Sequence, residues 1–400
     1  MNWEDYLNKI IIFVLIVLMS GFCTSQPDRI AKTTEDGVEV VINRLQPYPI
    51  KGEQNRYHLE EIFTVDTEDE STAGLGLTEI WGFDVDSEGS IFIYKPPMSQ
   101  GDLVFKFAAD GTFVRSFATR GEGPGEVPTA TYQKINDSDE IWIADAAHSK
   151  IMVFDKNGDH ITEISIRIWI GAMGNMIQVL PNGNYLIRRS VPRPAGDGLN
   201  LVTSLYDSGF EEIKELDQFE IDHPMRVEKF RLPMKLSFWT MTRDGVYIVN
   251  EDRGYEIHVY DLRGNLQRKI RKEYQPVSVS GKFKRDIGQK LENTPPALKT
   301  KVFFPPHFPP FQCLFADDKG YLYVMTYEQG LSPDGHIVDV FNPDGIYVAT
   351  MSLEAHLNDP VFTPGGPFDS WITLKRNHLY ATREKSSGFT ELVVYKVFRE

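Results

Sequence analysis

The chain has 400 residues, of which 41% are hydrophobic, 12% aromatic and 25% charged, a balance that is typical of globular proteins and excludes a disordered chain. Its 42 Lys and Arg residues against 57 Asp and Glu residues give a net charge of −15, which argues against generic nucleic-acid binding, because phosphate affinity depends on basic side chains. Two cysteines, Cys23 and Cys313, are too few for a disulfide scaffold or a four-cysteine metal site.

The N-terminus begins with an apolar run at residues 10–19. A membrane-spanning helix needs about 20 apolar residues, so this shorter run fits the hydrophobic region of a signal peptide better. We therefore expect residues 1–23 to be a signal segment and the protein to be exported across the inner membrane, to the periplasm or cell envelope. Cys23 lies where a bacterial lipoprotein carries its lipidated cysteine, but Phe22 departs from the small residue expected before it. Lipid anchoring, plain cleavage and an uncleaved anchor all remain open.

From residue 79 onward, a unit of four short apolar strands repeats about every fifty residues. Asx-Gly pairs such as Asp110-Gly111 and Asn157-Gly158 recur between the third and fourth strands. Such pairs predict hairpins with type I′ turns, in which both central residues have positive φ. Repeated four-strand units are typical of propeller blades. We therefore predict an all-β fold, a six-bladed β-propeller of four-stranded antiparallel blades.

The sixth unit has only three strands before the chain ends at Glu400. A ring must seal its first and last blades or leave a sheet edge exposed to other chains. We expect the strand-like residues 58–65 to complete the last blade, with help from residues 38–42. The predicted division is a signal segment, an N-terminal segment at 24–57 and a propeller at 58–398.

An insertion at residues 278–310 interrupts the repeat between blades 4 and 5. Apolar residues recur in it every four positions, which predicts an amphipathic helix over about 282–293. Residues 281–301 also carry six Lys and Arg against two acidic residues, and a Pro- and aromatic-rich stretch follows at 302–311. Two interpretations remain open, a lid over the channel mouth and a helix packed on the blade rim.

Three motifs, at residues 121–126 (GEGPGE), 141–145 (IWIAD) and 153–159 (VFDKNGD), resemble those of NHL-type six-bladed β-propellers. The resemblance is greatest to the exported bacterial group of six-bladed propellers, many of which are regarded as lipoproteins, and it extends over residues 38–398. It implies the fold. It implies no single activity, because the superfamily includes scaffolds, ligand binders, lyases and lactonases.

The loops on one face of a propeller usually carry its site, and here those loops are rich in arginine. Guanidinium groups match the geometry of carboxylate, sulfate and phosphate groups, which favours an anionic small molecule, glycan or peptide as the ligand. Pairing with nearby acidic residues is the alternative role for these arginines. A protein partner on the same face is also considered. The candidate ligand-binding residues are Arg120, Arg188, Arg189, Arg253, Arg383, His148, Trp239 and Trp371.

Two kinds of residue in this set have a competing explanation. Trp239 and Trp371 both lie six residues before the first turn of their units, where a tryptophan either stacks on a sugar ring or packs between blades. NHL-type lyases, which the chain resembles, use histidines from several blades as metal ligands. His148 lies near such a position, but the equivalent loops of other blades hold no matching histidine.

Sequence signatures of hydrolases, P-loop proteins and redox enzymes are absent from the chain. We therefore expect a monomeric binding module with no catalytic residues, metal or cofactor, which contacts no nucleic acid and meets a membrane only through its N-terminal segment. The alternative is a metal-dependent lyase or lactonase of the propeller type.

Overall fold

The computed structural model describes residues 30–96, 99–145, 148–166, 176–292, 294–332, 335–353, 371–385 and 387–400. The predicted signal segment and Cys23 lie outside these residues. The chain divides into two units, Met1–Ala31 and Lys32–Glu400, and the second contains the elements described below apart from Ala31. No helix in the described ranges is long and apolar enough to cross a membrane.

Twenty-eight strands are described, numbered in chain order. The N-terminal strands are β1 (Ala31–Glu35), β2 (Val38–Asn43) and β3 (Tyr57–Asp66). The next twelve are β4 (Gly82–Val85), β5 (Ile91–Tyr94), β6 (Asp102–Phe107), β7 (Phe113–Thr119), β8 (Ala130–Ile135), β9 (Ile141–Asp145), β10 (Lys150–Phe154), β11 (His160–Ser165), β12 (Met176–Val179), β13 (Tyr185–Pro192), β14 (Gly198–Tyr206) and β15 (Glu212–Asp222). The remainder are β16 (Phe230–Arg231), β17 (Ser237–Met241), β18 (Gly245–Asn250), β19 (Glu256–Asp261), β20 (Leu266–Lys272), β21 (Val302–Phe303), β22 (Cys313–Ala316), β23 (Leu322–Gln329), β24 (His336–Phe341), β25 (Tyr347–Leu353), β26 (Ile372–Lys375), β27 (His378–Glu384) and β28 (Thr390–Arg399).

Twenty-four of these strands form six blades of four strands each, and the predicted six-bladed propeller is confirmed. Blades 1 to 5 are β4–β7, β8–β11, β12–β15, β17–β20 and β22–β25, and blade 6 is β26–β28 with β3. Within each blade the pairing is antiparallel and the first strand is the innermost. Buried apolar side chains fill the contacts within and between neighbouring blades.

The ring is closed by β3, which pairs antiparallel with β28 from Asp66 opposite Glu391 to Tyr57 opposite Arg399. The expectation that residues 38–42 help to complete this last blade is wrong. Instead β2 pairs in parallel with β20 as a fifth strand on the outside of blade 4, and β1 follows it as the sixth. An apolar strand pattern predicts a strand but does not show which sheet edge it covers.

Residues 38–56 consist of β2 and the segment that leads to β3, and they link blades 4, 5 and 6. We call these residues the N-terminal strap. The buried amide of Asn43 donates to the carbonyl oxygens of Arg271 in blade 4 at 3.2 Å and Gly345 in blade 5 at 3.0 Å. Further along, the Glu53 carboxylate accepts hydrogen bonds from two side chains of blade 5, at 2.6 and 3.0 Å. The chain then enters blade 6 as β3.

The repeated Asx-Gly turns differ from the predicted type I′ geometry. After β6, β10, β19 and β24 only the glycine has positive φ, and a register shift precedes each turn, as in a type I turn with a glycine bulge. In blade 2 the Asp155 carboxylate accepts the amides of Asn157 and Asp159, each at 2.9 Å, which fixes this conformation. The glycine also permits blade contact, since a Cβ on Gly158 would lie 2.6 Å from Phe117 of blade 1.

The helices are short and lie in connections: α1 (Glu70–Gly74), α2 (Gly281–Lys290), α3 (Pro296–Lys299) and a 3₁₀ turn at Glu251–Arg253. The helix predicted in the insertion is α2, whose first turn is capped by the Ser280 hydroxyl, 3.1 Å from the Phe283 amide. Ile287 and Leu291 are buried against residues 230–232, and β21 pairs in parallel with β16. The helix therefore packs on the connection between blades 3 and 4.

Candidate functional site

One candidate cluster lies at the junction of blades 3 and 4, around Arg188. This side chain is 1% exposed, and its guanidinium donates to the Thr203 hydroxyl at 3.1 Å and to the carbonyl and hydroxyl oxygens of Ser237 at 2.9 and 3.1 Å. It also lies over the ring of Trp239, 4.5 Å from the centroid. Burial lowers the pKa of Arg188 to about 10, and the nearby Asp217 offsets only part of this effect. Its guanidinium is therefore occupied inside the protein.

Arg253 belongs to the same cluster through Asp217. Its guanidinium forms an ion pair with the buried Asp217 carboxylate, and the Asn250 amide donates to the Gln218 carbonyl at 3.0 Å beside it. The structure thus brings together three of the residues selected from the sequence, Arg188, Arg253 and Trp239. Arg188 contacts the Trp239 ring, and the charge of Asp217, which pairs with Arg253, also acts on Arg188.

The other candidate arginines lie apart from this cluster and from one another. Arg189, on the opposite side of β13 from Arg188, pairs with Glu212 at 2.8 Å. Arg383 pairs with Glu391 at 2.7 Å in blade 6. Arg120 is half-buried, and its backbone amide donates to Gly101 at 3.0 Å. Carboxylates of the chain therefore already occupy the guanidinium groups of Arg189, Arg253 and Arg383.

His148 lies between two carboxylates in the loop after β9. Its Nδ1 is 2.8 Å from the Asp145 carboxylate, and its Nε2 is 3.6 Å from that of Glu122. The carboxylates engage opposite ring nitrogens, so the three side chains do not converge on one point. Within the ranges that the structure describes, no three His, Cys, Asp or Glu side chains are grouped to hold a metal ion.

A tryptophan pair lies where blade 6 meets blade 1. The Trp371 indole donates to the Trp81 carbonyl oxygen at 3.0 Å, and Trp81 is 44% exposed. Both residues directly precede an innermost strand, whereas Trp239 is the third residue of β17. The turn after the first strand is shorter in blade 6 than in blade 4. Trp239 and Trp371 therefore do not occupy equivalent positions in their blades. Sequence reasoning missed Trp81, and its place just before a first strand is the signal that could have found it.

A shallow open pocket with a cavity volume of about 10 Å³ lies between blades 4 and 5, beside the end of the insertion; we call it the insertion pocket. It is lined by Tyr255, Tyr274, Gln275, Val277, Pro309, Pro310, Thr326, Tyr327 and Glu328. Ring faces and a few polar groups together are typical of small-molecule sites. A second pocket, also of about 10 Å³, lies between blades 2 and 3, but it includes Asn136 in a turn between first and second strands, on the face opposite the site-bearing loops.

Aromatic contacts fasten the insertion over this pocket. The rings of Phe308 and Tyr327 are stacked, with centroids 4.3 Å apart and planes within 7°. Phe283 of α2 packs edge-on against Phe308 at 4.9 Å, and the Phe308 amide donates to the Val277 carbonyl at 2.8 Å. The Pro- and aromatic-rich stretch that the sequence marked thus forms one wall of the pocket.

Buried polar contacts fix the position of Tyr255, another lining residue of the pocket. The Tyr255 hydroxyl donates to the Asp339 carboxylate at 2.5 Å, and the Lys272 ammonium lies 3.3 Å from the same carboxylate. Lys272 also lies over the Tyr347 ring, 4.6 Å from its centroid. Burial, and after it the charge of Asp339, raises the pKa of Tyr255 well above its usual value. The phenol therefore stays protonated and its ring is fixed in place.

Comparisons with known proteins support the fold and leave the activity open. A family model described as a 6-bladed beta-propeller (DUF5128) matches residues 85–189, which span parts of blades 1 to 3. A comparison with curated proteins gave no match. A protein of Bacteroides fragilis NCTC 9343 described as a putative exported protein is similar in structure, with 10% identity, 90% of this chain and 99% of that chain covered, and a TM-score of 0.50.

Two further solved structures are more distant. A member of the DUF4221 family from Bacteroides vulgatus has 13% identity, covers 87% of this chain and 100% of its own, and gives a TM-score of 0.47. A virginiamycin B lyase from Staphylococcus aureus has 10% identity, covers 86% and 100%, and gives a TM-score of 0.36. At these identities the likeness concerns the fold alone. In architecture the chain is thus similar to the Bacteroides fragilis protein.

Proposed function

We propose that the protein is an exported binding module that holds a neutral sugar ring of a glycan against the mouth of the insertion pocket. The observation that supports this is the exposed ring of Tyr274, 37% accessible, which lies with the half-buried Tyr327 over buried rings of Tyr255, Pro309 and Pro310. Flat apolar faces of this kind bury the C–H faces of a sugar ring. Polar side chains between them can exchange hydrogen bonds with its hydroxyl groups.

A neutral ligand fits better than an anionic one. Glu328 is the only charged side chain of the lining, and it repels an anion. The arginines expected to bind an anion are already engaged, Arg188 by hydroxyl and carbonyl oxygens and Arg253 by Asp217. An incoming carboxylate would have to displace these internal partners, at a cost comparable to the hydrogen bonds it forms.

Export is part of the proposal and rests on the apolar run at residues 10–19, together with the description of the Bacteroides fragilis protein. The lyase or lactonase alternative needs a divalent metal. Around His148, the one histidine selected for that role, the two carboxylates do not converge. Binding without chemistry is therefore the function that the described residues support best.

The test is calorimetric titration of the purified protein against a panel of neutral and acidic oligosaccharides. Tyr274→Ala removes a partly exposed wall of the pocket, and it should weaken a neutral glycan roughly ten-fold, which is about 1.4 kcal/mol. The matched control is Trp81→Ala, which removes an exposed aromatic side chain at the blade 6 and blade 1 contact and should leave the affinity unchanged. Binding of acidic glycans alone, or loss of binding in the control only, would contradict the proposal.

A further inference from the structure

The outer side of the insertion is basic in a strongly acidic protein. Residues 281–301 carry five lysines and Arg285 against Asp286 and Glu292, whereas the whole chain has a net charge of −15. Five of these six cations are exposed, and they are Lys282, Lys284, Arg285, Lys290 and Lys299. We call these five residues the basic surface.

Packing of the helix determines which way the basic surface points. The apolar side of α2 is occupied, because Ile287 and Leu291 are buried with Phe230 and Leu232 in a small core of their own. The charged side chains of the helix must therefore lie on the side that faces solvent. Four of the five residues of the basic surface are thus held in place by a helix that is packed on the protein.

Two large exposed apolar side chains lie close to Lys301, the sixth cation of the insertion. Phe303 is 40% exposed and Met225 is 47% exposed. Lys301, two residues before Phe303, donates to the Met225 carbonyl at 2.8 Å and so connects the two segments. The insertion therefore has two different sides, one that lines the pocket and one that combines lysines with exposed apolar groups.

We propose that the basic surface docks on an anionic phospholipid bilayer. Lysine is a compact point charge without the fork geometry of arginine, so a spread of lysines suits a diffuse anionic surface better than one phosphate or carboxylate group. Each Lys or Arg near such a surface contributes about 1 kcal/mol, and Phe and Met side chains add apolar contact at the interface. The acidity of the rest of the protein does not prevent this, because physiological salt screens charges beyond about 8 Å.

Docking is independent of the proposed glycan site. The pocket is lined by residues 255, 274–277, 309–310 and 326–328, none of which belongs to the basic surface. Tyr274→Ala should therefore leave vesicle binding unchanged even if it abolishes glycan binding. Failure of one proposal can thus be distinguished from failure of the other.

The experiment is co-sedimentation of the full-length protein with phosphatidylcholine vesicles that contain or lack one-third phosphatidylglycerol, at physiological and at high salt. Because residues 10–19 can hold the chain on any bilayer, the readout is the difference between anionic and neutral vesicles. The test variant is Lys282→Gln/Lys284→Gln/Arg285→Gln. The control, Lys214→Gln/Arg243→Gln/Arg263→Gln, removes the same charge from exposed positions at the turns of blades 3 and 4 on the opposite face.

We expect anionic lipid to increase binding of the native protein at physiological salt, and this increase to fall roughly 100-fold in the helix variant but not in the control. Phe303→Ala should produce a smaller loss on the same vesicles. Equal binding to both vesicle types, or equal binding by the helix variant and the control, would overturn the proposal. Retention on heparin without binding to anionic vesicles would also overturn it and would assign the surface to a soluble polyanion.

Discussion

The junctions on the two sides of blade 4 each bury one cation against an aromatic ring, but they differ in what surrounds it. Between blades 3 and 4, Arg188 is bonded to the neutral oxygens of Thr203 and Ser237. Between blades 4 and 5, Lys272 faces the carboxylate of Asp339. The first junction is filled by Trp239 and Arg188, whereas the second leaves the insertion pocket beside it.

The difference shows that arginine content is a poor guide to a binding site in this fold. Long strands such as β13 carry an arginine into the contact between blades, where its hydrogen-bonding groups are satisfied by neighbours. A cavity remains where an insertion lies across two blades and holds proline and aromatic rings above their loops. The following predictions test this contrast, from the largest expected effect to the smallest.

Arg188→Ala should cause the largest loss of stability. It leaves the Thr203 and Ser237 oxygens without their donor and opens a cavity against Trp239, so the free energy of unfolding should fall by about 3–5 kcal/mol. Chemical denaturation measures this change. Arg189→Ala is the matched control, because its ion pair with Glu212 is about one-third exposed and should contribute no more than about 1 kcal/mol. Loss of glycan binding in Arg188→Ala without loss of stability would instead make this arginine a ligand residue.

Asn43→Ala tests how much the N-terminal strap stabilises the contact between blades 4 and 5. The buried side chain donates to both blades and also accepts the Tyr347 amide at 2.8 Å, so its removal leaves several backbone groups unsatisfied. We expect a loss of about 2–3 kcal/mol in unfolding free energy. Asn265→Ala, in an exposed turn of blade 4, should change it by less than about 0.5 kcal/mol. Equal effects would mean that the N-terminal strap adds nothing to this junction.

The sequence predicts the propeller because its signals are local and repeated. The Asx-Gly pairs between third and fourth strands each fix a turn and also bring it against the preceding blade, as Gly158 does on Phe117. Glycine therefore meets both requirements at a fixed spacing, which makes the repeat recognisable in the sequence. The site is harder to predict from the sequence, because the strand register decides which groups each arginine can contact. Arg188 and Arg189 are adjacent in sequence but lie on opposite sides of one strand.

The position of β2 could not be derived in the same way. Val40 and Val41 are fully buried, and this apolar pattern predicts a strand in some sheet. Its parallel pairing with β20 depends on the path of the N-terminal strap across blade 5, and this path is set by single contacts of Asn43 and Glu53. The insertion pocket depends likewise on where a non-repeating segment comes to rest. Features outside the repeat carry no periodic signal.

The junction of blades 3 and 4 should also give a pH-dependent stability through His258. Burial, and after it the charge of Arg253, lowers the pKa of His258 from its usual value of 6.5, and the contact with Glu256 does not restore it. The unfolded chain therefore binds more protons than the folded one as pH falls below about 7, and stability decreases in that direction. One proton limits the slope to about 1.4 kcal/mol per pH unit. Urea unfolding from about pH 7.5 down to 5.5 measures it.

His258→Gln should flatten this slope. His160→Gln, which removes an imidazole from the first residue of β11 in blade 2, should preserve it. A slope that is the same in all three proteins would show that His258 protonates equally in the folded and unfolded states. Burial of the His258 ring would then not disfavour its charged form.

The smallest effect concerns the stack of Phe308 on Tyr327, which distinguishes the open junction from the filled one. Parallel rings 4.3 Å apart should be coupled by about 0.5–1.5 kcal/mol beyond the area they bury, and a double-mutant cycle with Phe308→Leu and Tyr327→Leu isolates this coupling. It should appear in hydrogen exchange of the α2 amides, because the stack fastens the insertion to blade 5. The same cycle on Phe315 and Tyr323, stacked within blade 5, should leave α2 exchange unchanged. Zero coupling for the first pair would mean that the small core around Ile287 holds the insertion alone, so the pocket wall could move without loss of stability.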